Sequence, residues 1–370
     1  MQNIDSEPPR NYVSPGRYSL EIEHLFSRAW VFAGLTGEVA KPDDFLRVPV
    51  AGNDVIVHNA GGTLRAFINA CSHRHSLIHT EARGHRPLVC PYHGWAYDRN
   101  GAPTRIPAPK DFPQVTANPG AWSLKSVELD QAGQFLFVRI TPGGPGLAEF
   151  LGETGAFLEN VSGSLDRPLD EFRSTIHANW KLVIENSLEG YHVPMVHRST
   201  LGANQQFSRE AVDIIDHLVP SGHSFMTNGA NARWLKRWQT HAAETGSWPF
   251  SFNHYVHRLV FPMLTVTSFL GYSFHIQRFH PDAHDATGVH SRIYASAFSG
   301  QTERGRRTME AIFRENIDFT RRIFEEDRRA CETTHAGVLQ SSSPAVFGST
   351  LEQRVADFRR TYLKALGSAG

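Results

Sequence analysis

Two short pairs of metal-binding side chains constrain the fold of this chain more than any other feature. The pairs are Cys71-x-His73 and Cys90-x-x-His93, and sixteen residues lie between them. Two thiolates and two imidazoles at such close spacings are typical of a four-ligand metal site. Each pair can occupy one β-loop, so the fold must bring two loops face to face around a small inorganic centre.

Two kinds of centre fit this ligand set. A structural zinc ion accepts two cysteines and two histidines in a tetrahedron, although zinc loops more often use Cys-x-x-Cys pairs. In a 2Fe-2S cluster, two imidazoles can replace two thiolates on one iron, which raises the reduction potential. The asymmetric spacing favours the cluster, and zinc stays open as the alternative.

The pattern along the chain predicts an α+β protein with two domains. A helix is predicted from Tyr18 to Trp30, and β-strands are predicted at 45–50, 54–59, 63–69 and 134–140. A Pro- and Gly-rich segment, 141–152, marks a domain edge. We therefore predict an N-terminal helix associated with the second domain (1–31), an all-β domain (32–145), and a domain with an antiparallel sheet surrounded by helices (146–370).

A second group of candidate ligands lies within nine residues of the second domain. Glu189 and His192 are three apart and share a face of a helix, whereas residues five apart, such as His192 and His197, diverge by about 140°. Pro194 falls between the two histidines and permits a kink or a helix end there. With that distortion, both imidazoles could turn toward one point; without it, they are ordinary histidines near a bend.

A carboxylate in the C-terminal part of the chain could complete this group. The segment 306–334 has the apolar stripe of an amphipathic helix, and Asp327 lies near the middle of that stripe. A carboxylate on a buried face needs a cationic partner or a metal. Two histidines and one carboxylate form the facial triad of Fe(II) oxygenases. We prefer Asp327 to Glu326 or Glu332 as this ligand.

Three segments resemble those of the Rieske non-haem iron oxygenases, in particular the catalytic alpha subunits of ring-hydroxylating and carnitine monooxygenase-like members. The segment 71–95, which ends in CPYHGW, resembles the Rieske motif. The string NWKLVIENSLEGYHVPMVH resembles the mononuclear-iron motif, and FEEDRRACETTHAGVLQS resembles the C-terminal ligand segment. The motifs occur in the expected order, and the resemblance spans nearly the whole chain.

The resemblance implies a role for each candidate residue. It implies that Cys71 and Cys90 bind one iron of a Rieske 2Fe-2S cluster, that His73 and His93 bind the other, and that His192, His197 and Asp327 bind a mononuclear Fe(II). Glu189 falls on the carboxylate that links the mononuclear site to the cluster of a neighbouring subunit. That residue is most often aspartate, and glutamate also occurs in members that act on quaternary ammonium compounds.

The resemblance also implies partners and a reaction. A separate NAD(P)H-dependent reductase or ferredoxin would supply electrons, because this chain shows no Gly-rich dinucleotide motif. The protein would use O2 to hydroxylate or oxidatively demethylate a small aromatic or amine substrate, as a homotrimer with or without a β subunit. Two alternatives stay open: a Rieske electron carrier without oxygenase activity, and a zinc-binding interaction module.

Composition excludes several other classes of function. The 37 basic and 37 acidic residues give no electrostatic footprint for nucleic acid or an anionic membrane. Three cysteines do not suggest a disulfide framework. Without a signal-peptide pattern or a long apolar segment, we expect a cytoplasmic protein.

The substrate is the least constrained part of the prediction. Aromatic residues are frequent between about 207 and 274, and they could stack a ring or surround a trimethylammonium group. The candidates are Trp234, Trp238, Trp248, Phe250, Phe252, Tyr255 and Phe269.

Overall fold

The computed structural model describes residues 6–201, 222–229, 232–240, 242–348 and 351–367. The chain divides into two compact units. The continuous unit is Ile22–Phe150, and the split unit combines Met1–Glu21 with Leu151–Gly370. The domain limits after residues 31 and 145 stay predictions.

The N-terminal segment is more helical than its sequence pattern indicates. It contains β1 (Ser6–Glu7), α1 (Arg10–Val13), α2 (Pro15–Glu21) and a π-helical turn (Ile22–Phe26). The predicted Tyr18–Trp30 helix therefore begins earlier and ends four residues earlier, because the chain enters a strand at Val31.

The continuous unit is built almost entirely of short strands. Its regular elements are β2 (Val31–Leu35), β3 (Asp44–Val50), β4 (Asn53–Asn59), β5 (Leu64–Ile68), β6 (Arg83–His85), β7 (Ala96–Tyr97), β8 (Pro103–Arg105), α3 (Pro113–Ala117), β9 (Ser126–Ala132), β10 (Phe135–Arg139) and α4 (Leu147–Leu151). Three short 3₁₀ helices lie at Thr36–Val39, Pro109–Asp111 and Pro119–Trp122. The four predicted strand runs are confirmed.

Seven of these strands form one antiparallel sheet, in the order β2-β10-β9-β5-β4-β3-β6. A separate β7–β8 hairpin follows the second cysteine-histidine pair. The apolar cluster beside this hairpin includes Phe45, Phe67, Trp95 and both cysteines. The two loops that carry the candidate ligands are thus anchored in the core of this unit.

The split unit continues with helices around a second sheet. Its elements are α5 (Glu153–Ser164), β11 (Leu165–Ile176), α6 (Trp180–Leu188), α7 (Val193–Val196), β12 (Ser224–Gly229), α8 (Ala232–Gln239), α9 (Ala242–Thr245), β13 (His254–Val260), β14 (Leu264–Phe269), β15 (Ser273–Ala283), β16 (Ala286–Ser296), α10 (Glu303–Val338), β17 (Ala345–Val346) and α11 (Gln353–Gly367). The predicted helix over 306–334 is confirmed within α10.

Six strands of this unit form an antiparallel sheet in the order β11-β16-β15-β14-β13-β12. Successive strands pair along the chain from β12 to β16, and β16 then pairs with β11. The predicted α+β class, an all-β module followed by an antiparallel sheet with helices, is confirmed. No helix among the described residues is long and apolar enough to cross a membrane.

A buried ion pair connects three helices of the split unit. Lys181 at the start of α6 donates to Glu21 at the end of α2 over 2.6 Å, and both side chains are almost fully buried. Trp180 of α6 donates to the same carboxylate at 2.7 Å, and Tyr362 of α11 donates to it at 2.5 Å. Both oxygens of the buried Glu21 carboxylate therefore accept hydrogen bonds, which is the condition for tolerating such a buried charge.

We predict that Glu21→Ala lowers the free energy of unfolding by roughly 3–5 kcal/mol, because Lys181 is left as an unpaired buried cation. Urea denaturation followed by circular dichroism measures this. The control is Glu310→Ala, which removes the partner of exposed Arg167 and should change stability by no more than about 0.5 kcal/mol. Equal losses from both substitutions would contradict the assignment. The double change Glu21→Leu with Lys181→Met should recover most of the loss.

Candidate metal centres and the adjoining cavity

The two cysteine-histidine loops have the same backbone hydrogen-bond pattern. In the first loop, the Cys71 N–H donates to Ser76 and the His75 N–H donates back to the Cys71 carbonyl, both within 2.9 Å. In the second loop, Cys90 and Gly94 make the equivalent bonds at 2.8 and 3.0 Å. The fourth residue after each cysteine has a positive φ, 61° at His75 and 72° at Gly94.

These turns bring the predicted ligands of the continuous unit together. The rings of His73 and His93 are 4.7 Å apart, and His73 stacks on Trp95. The Nδ1 atom of His73 is sealed from solvent and has no hydrogen-bond partner. A buried polar nitrogen without a partner is costly unless a metal occupies it, so this atom fits a ligand role.

The two cysteines of this site lie where a thiolate would need a bound cation. Cys71 and Cys90 are free and buried. Burial raises the pKa of the Cys71 thiol, and the adjacent Cys90 raises it further, so the thiol is favoured unless a cation binds. A bound metal would stabilise the thiolate, which is the metal-binding form.

The four predicted ligands suit a 2Fe-2S cluster with two thiolates on one iron and two imidazoles on the other, and the same ligand set can hold a tetrahedral zinc ion. Among the described residues, one group of three or more His, Cys, Asp or Glu ligand atoms lies within 4.8 Å, and it is in the split unit.

Tyr97 is a contact of this site that sequence reasoning missed. Its hydroxyl lies 2.9 Å from the Cys71 sulfur and accepts the Ser72 N–H at 3.1 Å. Because the Ser72 N–H occupies the hydroxyl oxygen, the phenolic hydrogen can point at a thiolate. The CPYHGW string continues directly into this tyrosine, but the pairing with Cys71 spans 26 residues and cannot be read from spacing.

Three other residues near these ligands have separate contacts. His79 stacks on Phe45, and His85 pairs with Asp44 at 3.0 Å. Arg74 lies over the ring of Tyr92.

The second predicted group depends on a helix that stops. Helix α6 ends at Leu188, and Glu189 takes an extended conformation before α7 begins at Val193. His192 and His197 therefore flank a four-residue helix instead of sharing a long one. The predicted kink at Pro194 is wrong in position: Pro194 lies in the first turn of α7, where proline is well tolerated.

Both imidazoles lie close to Asp327 of α10. The Nε2 atoms of His192 and His197 are 3.2 Å apart, and Asp327 Oδ1 lies 3.5 Å from the first and 3.0 Å from the second. Asn186 of α6 donates to the same oxygen at 2.9 Å. These three ligand atoms form the group within 4.8 Å mentioned above.

Carboxylates behind both histidines set their tautomers. His192 Nδ1 bonds Glu189 Oε1, and His197 Nδ1 bonds Glu326 Oε2 at 2.7 Å. Because an ionised carboxylate only accepts, each Nδ1 carries the hydrogen in the neutral ring and each Nε2 has a free lone pair. Metal-ligating histidines are typically oriented in this way. Three lone pairs facing one another repel unless a cation lies between them.

Protons occupy this arrangement when no metal is bound. Burial lowers the pKa of His192, but hydrogen bonds to Asp327 and Glu189 outweigh it and raise the pKa to about 9. Burial raises the pKa of Asp327, but His192, His197 and Asn186 outweigh it and lower the pKa to about 2. The His192 imidazole and the Asp327 carboxylate therefore favour opposite charges, and a bound cation would take the place of the His192 proton.

Glu326 lies behind a ligand histidine, a position that the sequence pattern does not predict. It accepts from His197, from Ser199 at 3.1 Å and from Thr200 at 2.6 Å. Glu332 instead pairs with Arg328 and accepts the His177 N–H. Neither glutamate belongs to the group of three ligand atoms, in which Asp327 is the carboxylate.

A cavity of about 730 Å³ adjoins the three ligand atoms. Helices α6, α7 and α10 and one face of the six-stranded sheet contribute its lining. Six of its aromatic residues are Tyr255, Phe269, Tyr272, Phe279, Phe319 and Phe324. This volume is within the range of small-molecule sites.

Two of the predicted aromatic residues, Tyr255 and Phe269, line this cavity. Trp248 packs against the Leu270 cluster, and Phe250 contacts Phe157 and Phe252. The side chains of Trp234 and Trp238 lie outside the described part of the chain. Alternation along β13, β14 and β15 was the signal that could have identified the cavity face, since strand residues two apart share a face.

Two family models match the chain. Residues 162–368 match the family model "Ring hydroxylating alpha subunit (catalytic domain)". Residues 29–119 match the model "Rieske [2Fe-2S] domain". The first match covers more than half of the chain.

Individual relatives share part of the sequence or the fold. The chain is 35% identical to the glycine betaine monooxygenase oxygenase subunit of Chromohalobacter salexigens over 204 residues, which are 55% of this chain and 45% of the relative. The chain spans about half the length of the curated relatives it matches.

Two solved structures share the fold over nearly the whole chain. A quaternary ammonium Rieske monooxygenase in complex with L-carnitine aligns with a TM-score of 0.77 at 18% identity, covering 98% of this chain and 96% of that chain. Naphthalene 1,2-dioxygenase from a Rhodococcus species, bound to indole, gives 0.78 at 19% identity, with 98% and 94% covered. These likenesses show the fold alone.

We predict that Tyr97→Phe lowers the reduction potential of the cluster by about 40 mV, the one-electron equivalent of a hydrogen bond worth about 1 kcal/mol. The phenol stabilises the more negative, reduced state, so its removal favours the oxidised state. Redox titration followed by visible absorption measures the potential. Phe45→Tyr, which adds a phenol elsewhere in the same core, should leave it unchanged; an unaltered potential in Tyr97→Phe would contradict the role of Tyr97.

We predict that Glu326→Ala weakens Fe(II) binding at the His192 site roughly 10–100-fold, because a ligand histidine loses its orienting carboxylate. Equilibrium dialysis against Fe(II) measures the affinity. Glu325→Ala is the matched control, because the neighbouring Glu325 accepts hydrogen bonds from Arg328 and Arg329 of its own helix. Equal affinities in the two variants would rule out the orienting role.

Proposed function

Because this chain belongs to the family of ring-hydroxylating alpha subunits, we propose that it is the oxygenase component of a Rieske non-haem iron enzyme. It would use O2 and electrons from a separate NAD(P)H-dependent reductase or ferredoxin. The reaction would hydroxylate or oxidatively demethylate a small aromatic, amine or quaternary ammonium compound. The convergence of His192 Nε2, His197 Nε2 and Asp327 Oδ1 beside a cavity is the observation that carries this proposal.

The ligands in the proposal are those of the two sites. Cys71, His73, Cys90 and His93 would hold the 2Fe-2S cluster, and His192, His197 and Asp327 would hold the mononuclear iron. When bound, the cluster supplies single electrons and the mononuclear iron supplies open coordination positions where dioxygen is reduced beside the substrate.

The protein groups around the three iron ligands would orient these ligands and exclude water. Glu189 and Glu326 hold the two imidazoles with Nε2 inward, and Asn186 holds Asp327. The aromatic cavity wall would keep water away from the reacting carbon and hold the substrate body by stacking or cation–π contact.

Glu189 has a second role in the proposal, as the carboxylate that connects His192 to a cluster imidazole of a neighbouring subunit in a homotrimer. Its Oε2 accepts the N–H groups of Tyr191 and His192, the latter at 3.1 Å. The longer glutamate side chain can thus fold back on its own turn and still reach His192. A cytoplasmic location, where NAD(P)H is available, is also part of the proposal.

The alternatives explain less of the chain. A Rieske electron carrier has no use for a second domain in which three further metal-ligand atoms converge. A zinc-binding module is disfavoured by the match of residues 29–119 to the Rieske domain model.

We predict that His192→Ala removes mononuclear iron and product formation but leaves the visible spectrum of the cluster unchanged. The wild-type protein should contain about three irons per chain, and the variant about two. Iron analysis, acid-labile sulfide and a reductase-coupled oxygen assay provide the measurements. His254→Ala, a histidine outside the cavity lining, is the control and should retain all three irons. Full turnover by the His192 variant would overturn the proposed function.

A further inference from the structure

One row of the sheet beneath the cavity carries two histidines. His257 of β13 lies opposite Met226 of β12 and Thr267 of β14, and Thr267 lies opposite His275 of β15. Residues that pair directly across strands share a face, and these four all line the cavity. Polar side chains are therefore built into a cavity wall that is otherwise rich in aromatic residues.

Arg354 of α11 fixes the hydrogen position on His257. Its Nη2 donates to His257 Nδ1 over 3.0 Å. Because a guanidinium has donors and no acceptor, Nδ1 must be the unprotonated nitrogen, so the ring hydrogen lies on Nε2. Arg354 itself is buried and bonds Ser224 at 2.9 Å and the Leu188 carbonyl at 3.3 Å.

The same contact keeps this imidazole neutral. Burial holds the pKa of His257 well below its usual value, and the charge of Arg354 lowers it further. His275 differs, because its Nε2 contacts the Ser291 hydroxyl at 2.6 Å, and a hydroxyl can either donate or accept. His257 is therefore the histidine of this row with a defined donor.

The Nε2–H of His257 has no acceptor on any other residue in the described part of the chain. The hydrogen bond that its side chain makes to another described residue is the one from Arg354. Nε2 is also absent from the buried side-chain atoms that are sealed without a partner. Since His257 is only 6% exposed and lines the cavity, the cavity is where this hydrogen finds its acceptor.

The Arg354 contact favours an anionic acceptor at this position. The guanidinium lies directly behind the imidazole and polarises its N–H, and hydrogen bonds to charged acceptors are stronger than those to neutral ones. Asp327 and Glu189 line the cavity at the metal-binding residues, and Arg198, an arginine of the described lining, is exposed. A small molecule could therefore place its anionic end at His257 and its body toward the His192 site.

We propose that His257 is a specificity-determining residue whose Nε2–H binds a substrate carboxylate, with Arg354 as its positioning residue. This inference rests on the proposed oxygenase function and narrows its substrate class. The substrate carries a carboxylate at one end and the oxidised carbon, on an arene or an alkylammonium group, at the other.

The test compares ligands that differ only in the carboxylate. The pairs are 2-naphthoate with 2-methylnaphthalene, and trimethylglycine with ethyltrimethylammonium. Their binding to the anaerobic, oxidised holoenzyme is measured by isothermal titration calorimetry. Wild type should bind at least one carboxylate about tenfold more tightly than its matched partner, since a hydrogen bond to a charged group contributes about that much. His257→Leu should abolish the preference and leave the affinity for the matched partner unchanged.

Two further variants distinguish recognition from structural damage. His257→Gln retains an N–H donor and should restore part of the preference. His254→Leu changes a histidine of the same strand outside the cavity lining, and it should retain the full preference. No carboxylate preference in wild type, or a preference that survives in His257→Leu, would overturn the inference. Because binding needs neither reductase nor O2, a retained preference without product formation would count against the proposed function alone.

Discussion

The site around Asp327 depends on the end of helix α6 at Leu188 and on the short helix α7 that follows. His192 and His197 flank α7, and helical backbone bonds run from Val196 to His192 and from His197 to Val193. The Nε2 atoms of both rings meet at Asp327 of α10. The extended conformation of Glu189 places its carboxylate behind His192, so this local departure from helical geometry sets the tautomer of that ring.

The two candidate centres use different scaffolds for the same purpose. In the continuous unit, matched turns at the ends of short strands project cysteine and histidine side chains from a packed apolar core. In the split unit, helices supply the ligands, and carboxylates three or more residues away orient them. In both arrangements, buried hydrogen bonds fix the direction of side chains. Catalysis requires this fixed geometry more than stability does.

The sequence predicts the parts of this structure that depend on local spacing. Strand alternation, the amphipathic stripe of α10 and the close cysteine-histidine pairs all lie within short windows, and the structure has each of them. Contacts between distant segments escape such reasoning: Glu326 reaches His197 across 129 residues, and Arg354 reaches His257 across 97. The sequence places the break at Pro194, because proline is the stronger breaker by propensity, whereas α6 ends at Leu188 before an extended Glu189.

The hydrogen bond from Tyr362 to Glu21 joins residues that are 341 positions apart in the chain, so it can form only late in biosynthesis. The continuous unit can fold as soon as its own uninterrupted segment leaves the ribosome. The core that α2, α6 and α11 share must wait until the last helix has been translated, so the early helix α2 stays unpartnered for most of synthesis. Ribosome-bound intermediates of this protein should therefore hold a folded iron-sulfur module next to an immature second unit that depends on chaperones.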